Sequence, residues 1–382
     1  MDINVEKLLI DTLRSAVTGE KFDLVIDEDV AKSLYDIADI HDLAHLVALG
    51  LSHSGALIKT GEIGANFTTA QMRAIFRHIK IVKELTDMAT SLERHGVDFI
   101  FLKGSKLRFY YPEPWMRTSS DIDVFVKAEQ IAEAKKVLSG LGYKYSGEWR
   151  YECRYDTPSG VHVEMHTDIC DDDERIDEYL KTVWDTAILE DGYSHKYRMG
   201  DDMFLFYHIA HMAKHFGDGG CGIRPFVDLY VLSRRGEPKE DFYRMTEGAG
   251  LSDFYVSAKA LTEYWFGSGD VQAVPQNMRE FVIRGGLFGT YENAVSIGGG
   301  GGKFRYVMRR IFPVYRDMKD NYPILKKCCI LLPFCYVLRW FSLLGKALRG
   351  KGRDEIKAIK GMNADKVQET KELFDKLGLR QS

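Results

Sequence analysis

The spacing of apolar residues changes period along this chain, and each change marks an element. Through about residue 95 the apolar positions recur at helical spacing. Thr68 and Thr69 precede a long amphipathic stretch, AQMRAIFRHIKIVKELTDMATSLERHG, and Gly96 supplies its C-terminal stop. VDFIFL, residues 97–102, then reads as a short buried strand. KLRFYY reads as a short helical piece, Pro112 and Pro114 mark a loop, and DIDVFV at 121–126 is a second strand. AEQIAEAKKVLSGLG reads as a helix ending near Gly140 or Gly142. WRYECRYD and VHVEMHTDI flank the turn residues TPSG, a hairpin signal. The order strand, helix, strand, helix, hairpin predicts a small α/β domain over residues 96–170. From Asp201 onward helices predominate again. The glycine run Gly298 to Gly302 reads as a flexible loop or linker, and the highly charged last 30 residues as a peripheral helix.

A chain of 382 residues exceeds what one compact core usually holds, so two or three structural units are expected. Its 45% apolar and 28% charged residues exclude wholesale disorder. The net charge of −4 hides an asymmetry: residues 303–360 carry 15 Lys/Arg against 4 Asp/Glu, a balance of +11, and the remainder sums to −15. That distribution points to an anionic partner for the C-terminal part. The six cysteines have no C-x-x-C spacing, and the start, MDINVEKLLIDTLRSAV, has no basic segment followed by an apolar run. A reduced, cytoplasmic protein without disulfides or a zinc-ribbon site is expected. The longest apolar stretch, CCILLPFCYVL at 328–338, is far short of the roughly 20 residues that span a bilayer. Interrupted by Pro333 and flanked by Lys327 and Arg339, it reads as a buried helix in preference to a membrane-surface element.

Three features of FLKGSKLRFYYPEPWMRTSSDIDVFV carry chemistry. First, a strand ends in Gly104-Ser105 and a helix follows, so unpaired backbone N–H groups and the helix dipole favour a phosphate there. Glycine admits close approach, Ser105 adds a hydroxyl, and Lys103 or Lys106 adds charge. Second, Asp121 and Asp123 are two apart in a strand, which puts both carboxylates on one face while Ile122, Val124 and Val126 enter the core. Two acids on one face repel each other unless a cation joins them, and Mg²⁺ prefers such oxygen ligands. Third, VHVEMH alternates, with His162, Glu164 and His166 opposite Val161, Val163 and Met165. Laid beside DIDVFV, this strand brings Glu164 to a three-carboxylate cluster able to hold two metals, the arrangement for two-metal catalysis of in-line displacement at a nucleotide α-phosphate.

The order GS, DxD, then a third carboxylate resembles the DNA polymerase beta-type nucleotidyltransferase superfamily. LKGS, YPEPWMR, DIDVFV, a helix running to LGY, and VEMH together resemble an uncharacterised bacterial nucleotidyltransferase family within it. HIAHMAKHF followed by FVDLYVL, and later IFP with NYPILKKCCILLP, extend the likeness over most of the chain, with its specificity in residues 102–166. The resemblance implies an α+β fold: an N-terminal helical region (1–95), a small mixed-sheet nucleotidyltransferase core (96–200), a helical region (201–297), and a glycine-rich loop with a basic helical region (298–382). It also implies an NTP donor, Mg²⁺ or Mn²⁺, and an unknown acceptor, with a small molecule favoured over a nucleic acid. By position, Gly104 and Ser105, with Lys103 and Arg117, bind the triphosphate. Asp121, Asp123 and Glu164 are the catalytic metal ligands, and Glu164 is also a candidate base. Fifteen residues separate Ser105 from Asp121, more than the usual superfamily gap, and this Pro-containing insert reads as an element shaping the pocket.

Elsewhere, His208, His211 and His215 share one helix face and, with Asp228, are a candidate metal or phosphate site. The blander reading is hydrogen bonding across a helical interface. Nucleotidyl transfer with release of pyrophosphate is the leading expectation. A non-catalytic nucleotide-binding or scaffold protein on the same fold is the alternative. A nucleic-acid modifying enzyme using the basic tail is the third.

Overall fold

The structure, a computed structural model, describes residues 4–170, 173–287, 289–298, 302–348 and 353–379. The chain forms two compact units, one of Met1–Lys214 with Ile223–Val274, the other of His215–Gly222 with Pro275–Ser382.

The first unit is mixed α+β. It opens with four helices, α1 (Val5–Thr18), α2 (Glu28–Ile40), α3 (Ala44–His53) and α4 (Gly61–Arg94). Asn4 and Asp27 cap α1 and α2 by accepting from Lys7 and Val30 N–H, which satisfies donors that the first turn leaves open. α4 has 34 residues, about 50 Å at the helical rise of 1.5 Å per residue. It starts at Gly61, so Thr68 and Thr69 lie inside it; the Thr68 hydroxyl bonds the Gly64 carbonyl within the helix instead of capping its start. The expected stop holds: α4 ends at Arg94, and Gly96 takes the left-handed φ of 69° that turns the chain towards the sheet.

The sheet has seven strands: β1 (Phe99–Phe101), β2 (Asp121–Val126), β3 (Lys144–Trp149), β4 (Glu152–Asp156), β5 (His162–His166), β6 (Ile188–Leu189) and β7 (Lys196–Arg198). Their spatial order is β3-β4-β5-β2-β1-β7-β6. β1 and β2 are antiparallel, β2 and β5 parallel, and β4 and β5 form the expected hairpin. Its turn is closed by Thr157, whose hydroxyl accepts from Val161 N–H at 3.0 Å. β3, β6 and β7 are additions to the strands read from the sequence. β3 is almost wholly exposed and β6 is two residues long, so neither carries the apolar run that announces a strand.

One face of the sheet is core. Ile122, Val124, Val126, Val163 and Met165 pack there against Ile81, Leu85, Met88 and Leu92 of α4 and against Ala134, Val137 and Leu138 of α6 (Ile131–Gly140). Each such fully buried aliphatic side chain contributes about 1.5–3 kcal/mol. Alternation therefore leaves the residues between them on the other face, as expected for Asp121 and Asp123. Helices dominate after the sheet, with Arg224–Ser233, Glu240–Gly248 and Ser252–Phe266 completing the first unit.

In the second unit two expectations are corrected. Residues 328–338 do not form a buried helix: a 3-10 turn, Cys329–Leu331, leads into the helix Leu332–Leu348, whose Phe334, Val337 and Leu338 are exposed. The reason is that, among the described residues, the small core formed by Met318 and Leu325 takes in Cys335 and, in part, Leu331, Leu332 and Tyr336. Near the C-terminus, the helix Ala364–Lys376 is not merely peripheral, because it buries Leu373 and Phe374, the latter ring lying 5.7 Å from Phe216 and 5.8 Å from Phe281. In the glycine run, residues 299–301 lie outside the described residues, while Gly298 and Gly302 belong to the helices on either side.

Histidine 45 gives the first unit a measurable pH dependence. It is buried in α3, and its Nε2 donates to the Met116 carbonyl at 2.8 Å. Burial pushes its pKa down to about 4 from 6.5. The folded state therefore keeps the ring neutral, while the unfolded chain takes up a proton as pH falls below its unfolded pKa. The contribution is fully present above about pH 6.5 and is lost as pH falls towards 4. Between about pH 7 and about pH 5 this linkage is expected to remove about 2 kcal/mol. Urea unfolding of the wild type and of His45→Gln at the two pH values checks it, since the variant's pH difference should be smaller by that amount.

Candidate active site

The parallel pairing of β2 and β5 sets Asp121 beside His162, Asp123 beside Glu164 and Phe125 beside His166. All six side chains belong to the sheet face opposite the aliphatic core. Phe125 packs on Trp184, with ring centroids 5.1 Å apart, and closes one end of the row. His166 Nε2 lies 3.1 Å from Asp123 Oδ1 and 4.0 Å from Glu164 Oε2, and His162 Nε2 lies 3.8 Å from Glu164 Oε1. Asp123, Glu164 and His166 each offer one donor atom, all within 4.8 Å of one another, the one such group among the described residues. The expected set was Asp121, Asp123 and Glu164. The structure brings the last two together, adds His166, and leaves Asp121 beside the group.

Charge in this cluster is unevenly compensated. The Lys103 ammonium lies 2.9 Å from Asp123 Oδ1. Burial opposes ionisation of Asp123, but Lys103 and the His166 hydrogen bond outweigh it and hold the carboxyl well below the usual carboxylate range. Burial likewise works against the charged Lys103, and Asp123 more than offsets it, raising the ammonium's pKa. Asp121 and Glu164 shift upward instead, first because they are buried and then because Asp123 is already negative beside them. The Lys103 ammonium thus faces Asp121, Asp123 and Glu164, with Arg117 also acting on Asp121 and Glu152 adding a further carboxylate beside Glu164. Oxygen donors of this number, with an imidazole at ligand distance, fit a divalent cation.

The Gly-Ser turn is built differently from its sequence reading. β1 ends at Phe101 and the helix α5 (Lys103–Leu107) begins at Lys103, so Gly104 and Ser105 lie inside its first turn instead of ahead of it. Lys103 adopts φ 43°, a left-handed conformation that costs a non-glycine residue of order 1–3 kcal/mol. A β-carbon on Gly104 would lie 3.1 Å from Ser119 Cβ, a tight contact that would press on the Ser119 side chain. Ser105 is 1% exposed, and its hydroxyl accepts from Asp123 N–H at 3.2 Å, tying α5 to β2. Arg108, absent from the sequence reading, is fully buried; it donates from Nε to Gly104 O at 3.1 Å and from Nη2 to Ser119 Oγ at 2.5 Å. Burial, with Arg117 nearby, lowers its pKa to about 10. Lys106 does not face the carboxylates: its ammonium pairs with Glu190 at 2.5 Å.

Arg117, expected on the triphosphate, has its guanidinium against Gly104, with Nη1 3.6 Å from where a β-carbon there would lie, and is held by partners outside the acidic row. Its Nε donates to Asp228 Oδ1 at 2.7 Å, and its Nη1 donates to the Thr118 carbonyl. Tyr111 Oη donates to the same Asp228 oxygen at 2.7 Å. Burial opposes the Asp228 charge, and Arg117 overrides it and keeps the pKa low. Thr118 is held in turn by Asp42, which also pairs with Arg77 and Arg224. The insert between Ser105 and Asp121 is therefore anchored through Tyr111, Met116, Arg117 and Thr118. Asp228 serves this anchoring, while His208 bonds the Pro225 carbonyl at 3.1 Å. His208, His211 and His215 belong to no metal-ligand group among the described residues.

No curated protein and no solved structure matches the chain. A model of the family described as "Uncharacterised nucleotidyltransferase" matches residues 27–267, which takes in α2, the whole sheet and the helices that follow. On that match, which covers more than half of its length, the chain belongs to the uncharacterised nucleotidyltransferase family.

Proposed function

We propose that this chain transfers a nucleoside monophosphate from an NTP to an acceptor, favouring a small molecule, with release of pyrophosphate. The observation that carries the reading is the pairing of Asp123 with Glu164 across β2 and β5, with His166 at ligand distance, in a member of a nucleotidyltransferase family. Asp123, Glu164 and Asp121, with His166, would hold Mg²⁺ or Mn²⁺. Such a cation supplies charge neutralisation at the phosphates and acidifies an attacking hydroxyl.

The chain's own residues have distinct parts. Asp123 stays ionised beside Lys103 and provides the fixed negative charge. Glu164, with its raised proton affinity, is suited to take the proton of the acceptor hydroxyl. The acceptor oxygen then bonds to the α-phosphorus as the bond from that phosphorus to the β-phosphate bridging oxygen breaks. Lys103 and the turn at Gly104-Ser105 lie beside this row and are positioned to attract the triphosphate, with Arg108 holding the turn from behind. Arg117 acts at one remove, by fixing the loop that leads into β2.

The test is pyrophosphate release from each of the four common NTPs with Mg²⁺, in the presence of acceptors grouped as sugars, alcohols, phosphates, peptides and RNA. Metal-dependent release with at least one NTP is expected. Absence of both NTP binding and release across the panel would sink the proposal. The Lys103–Asp123 ion pair is the observation favouring a binding-only protein, since an ammonium already occupies a metal-ligand oxygen. Tight NTP binding with no release for any acceptor class selects that reading.

A further inference from the structure

The family match ends at residue 267, before Pro275, where the larger part of the second unit begins. In that unit the described side chains of the helix Leu332–Leu348 pack on one side. Cys335 is buried with Met318 and Leu325. Tyr336 Oη donates to Pro313 O at 2.6 Å and Trp340 Nε1 to Ile311 O at 3.0 Å, which joins residues 311–313 to the same helix. On the other side, Phe334, Val337, Leu338 and Phe341 fall at i, i+3, i+4 and i+7 and all are exposed, Phe334 by 68% and Phe341 by 69%. Ile330, one turn earlier, is 80% exposed. Phe312, whose ring lies 5.3 Å from Trp340, is exposed as well. A soluble monomer rarely leaves so many large apolar side chains open on one face.

Charge indicates what covers them. No Asp or Glu occurs between Asp320 and Asp354, while that interval carries seven Lys/Arg. Arg309, Arg310, Lys327, Lys357 and Lys360 are exposed. Protein interfaces are depleted of Lys at their core and do not call for a one-signed rim. An anionic bilayer surface calls for both features at once: an apolar helix face that sinks to the acyl boundary, and Lys/Arg side chains that reach lipid phosphates. Among the described residues no helix is long and apolar enough to cross a membrane, so the geometry is that of a helix lying in the interface.

We propose that the second unit docks on anionic lipid surfaces through the Phe334, Val337, Leu338 and Phe341 face of this helix and the acid-free basic segment that contains it. The full chain, mixed with phosphatidylcholine vesicles with and without phosphatidylserine and then sedimented, tests this. Binding is expected to the phosphatidylserine vesicles and to be much weaker without that lipid. It should fall as salt rises from about 0.1 M to about 1 M, where the Debye length shrinks from about 10 Å to about 3 Å. Phe334→Ser with Phe341→Ser should lower the affinity at least about tenfold, since two aromatic side chains lose their burial. Because both are exposed, the melting temperature should not move. Lys326→Gln with Lys327→Gln should lower affinity for the anionic vesicles by about tenfold and leave the weak neutral binding unchanged. The proposal is overturned by absence of binding to phosphatidylserine vesicles, or by equal binding to both compositions. It is also overturned if light scattering finds a dimer that the Phe334 and Phe341 substitutions convert to monomer.

Discussion

Asp123→Asn and Glu164→Gln are each expected to lower pyrophosphate release by about 10³-fold or more, equivalent to about 4 kcal/mol of transition-state stabilisation. Both substitutions keep side-chain volume, remove the charge and replace one acceptor oxygen by a donor NH2 group. The two residues face each other across β2 and β5, and their donor atoms meet with those of His166. Asp123 additionally neutralises Lys103, so its amide leaves an ammonium with a weaker partner. The Glu164 side chain is less enclosed and keeps the two effects apart: its variant should melt within about 2 °C of the wild type while losing activity. A loss below tenfold in the Glu164 variant, with folding intact, removes this residue from the chemistry.

Asp228→Ala is expected to cost about 3–5 kcal/mol of stability, because it strands the Arg117 guanidinium and removes the acceptor of the Tyr111 hydroxyl. For a unit of this size the melting temperature should fall by roughly 10 °C. The pair is interior, so breaking it differs from deleting it. Arg117→Met combined with Asp228→Leu should recover more than half of the loss, since neither charge is then buried alone. Equal melting temperatures for the single and the double variant refute the account. The pH dependence has its own sign: Asp228 is held below its unfolded pKa, so its contribution is present above about pH 4 and is lost as pH falls further.

The acidic row was legible because alternation is a local property. DIDVFV and VHVEMH each state which residues share a face, and a parallel pairing of the two strands was enough to place Asp123 beside Glu164. The partners of the cations were not legible. Arg117 meets Asp228 across 111 positions and Lys103 meets Asp123 across 20, and no periodicity links such residues. Arg108 carries no motif; what distinguishes it is complete burial. The chain around Cys335 failed for another reason. A run of apolar residues reports hydrophobicity, but whether a face is covered depends on which elements reach it; among the described residues Met318, Leu325 and the segment 311–313 reach one side of this helix and leave Phe334 and Phe341 exposed.

The β4–β5 hairpin lies against β2, with β5 as the paired strand. It behaves as a parity device. Its turn, closed by Thr157, decides whether the odd or the even residues of β5 meet Asp123. Most sequence changes alter one side chain at a time. A shift of one position here would exchange His162, Glu164 and His166 for Val163 and Met165 in a single event, and would send three polar groups into the aliphatic core. The site is thus guarded less by each acid separately than by a count of residues in a turn that touches none of them.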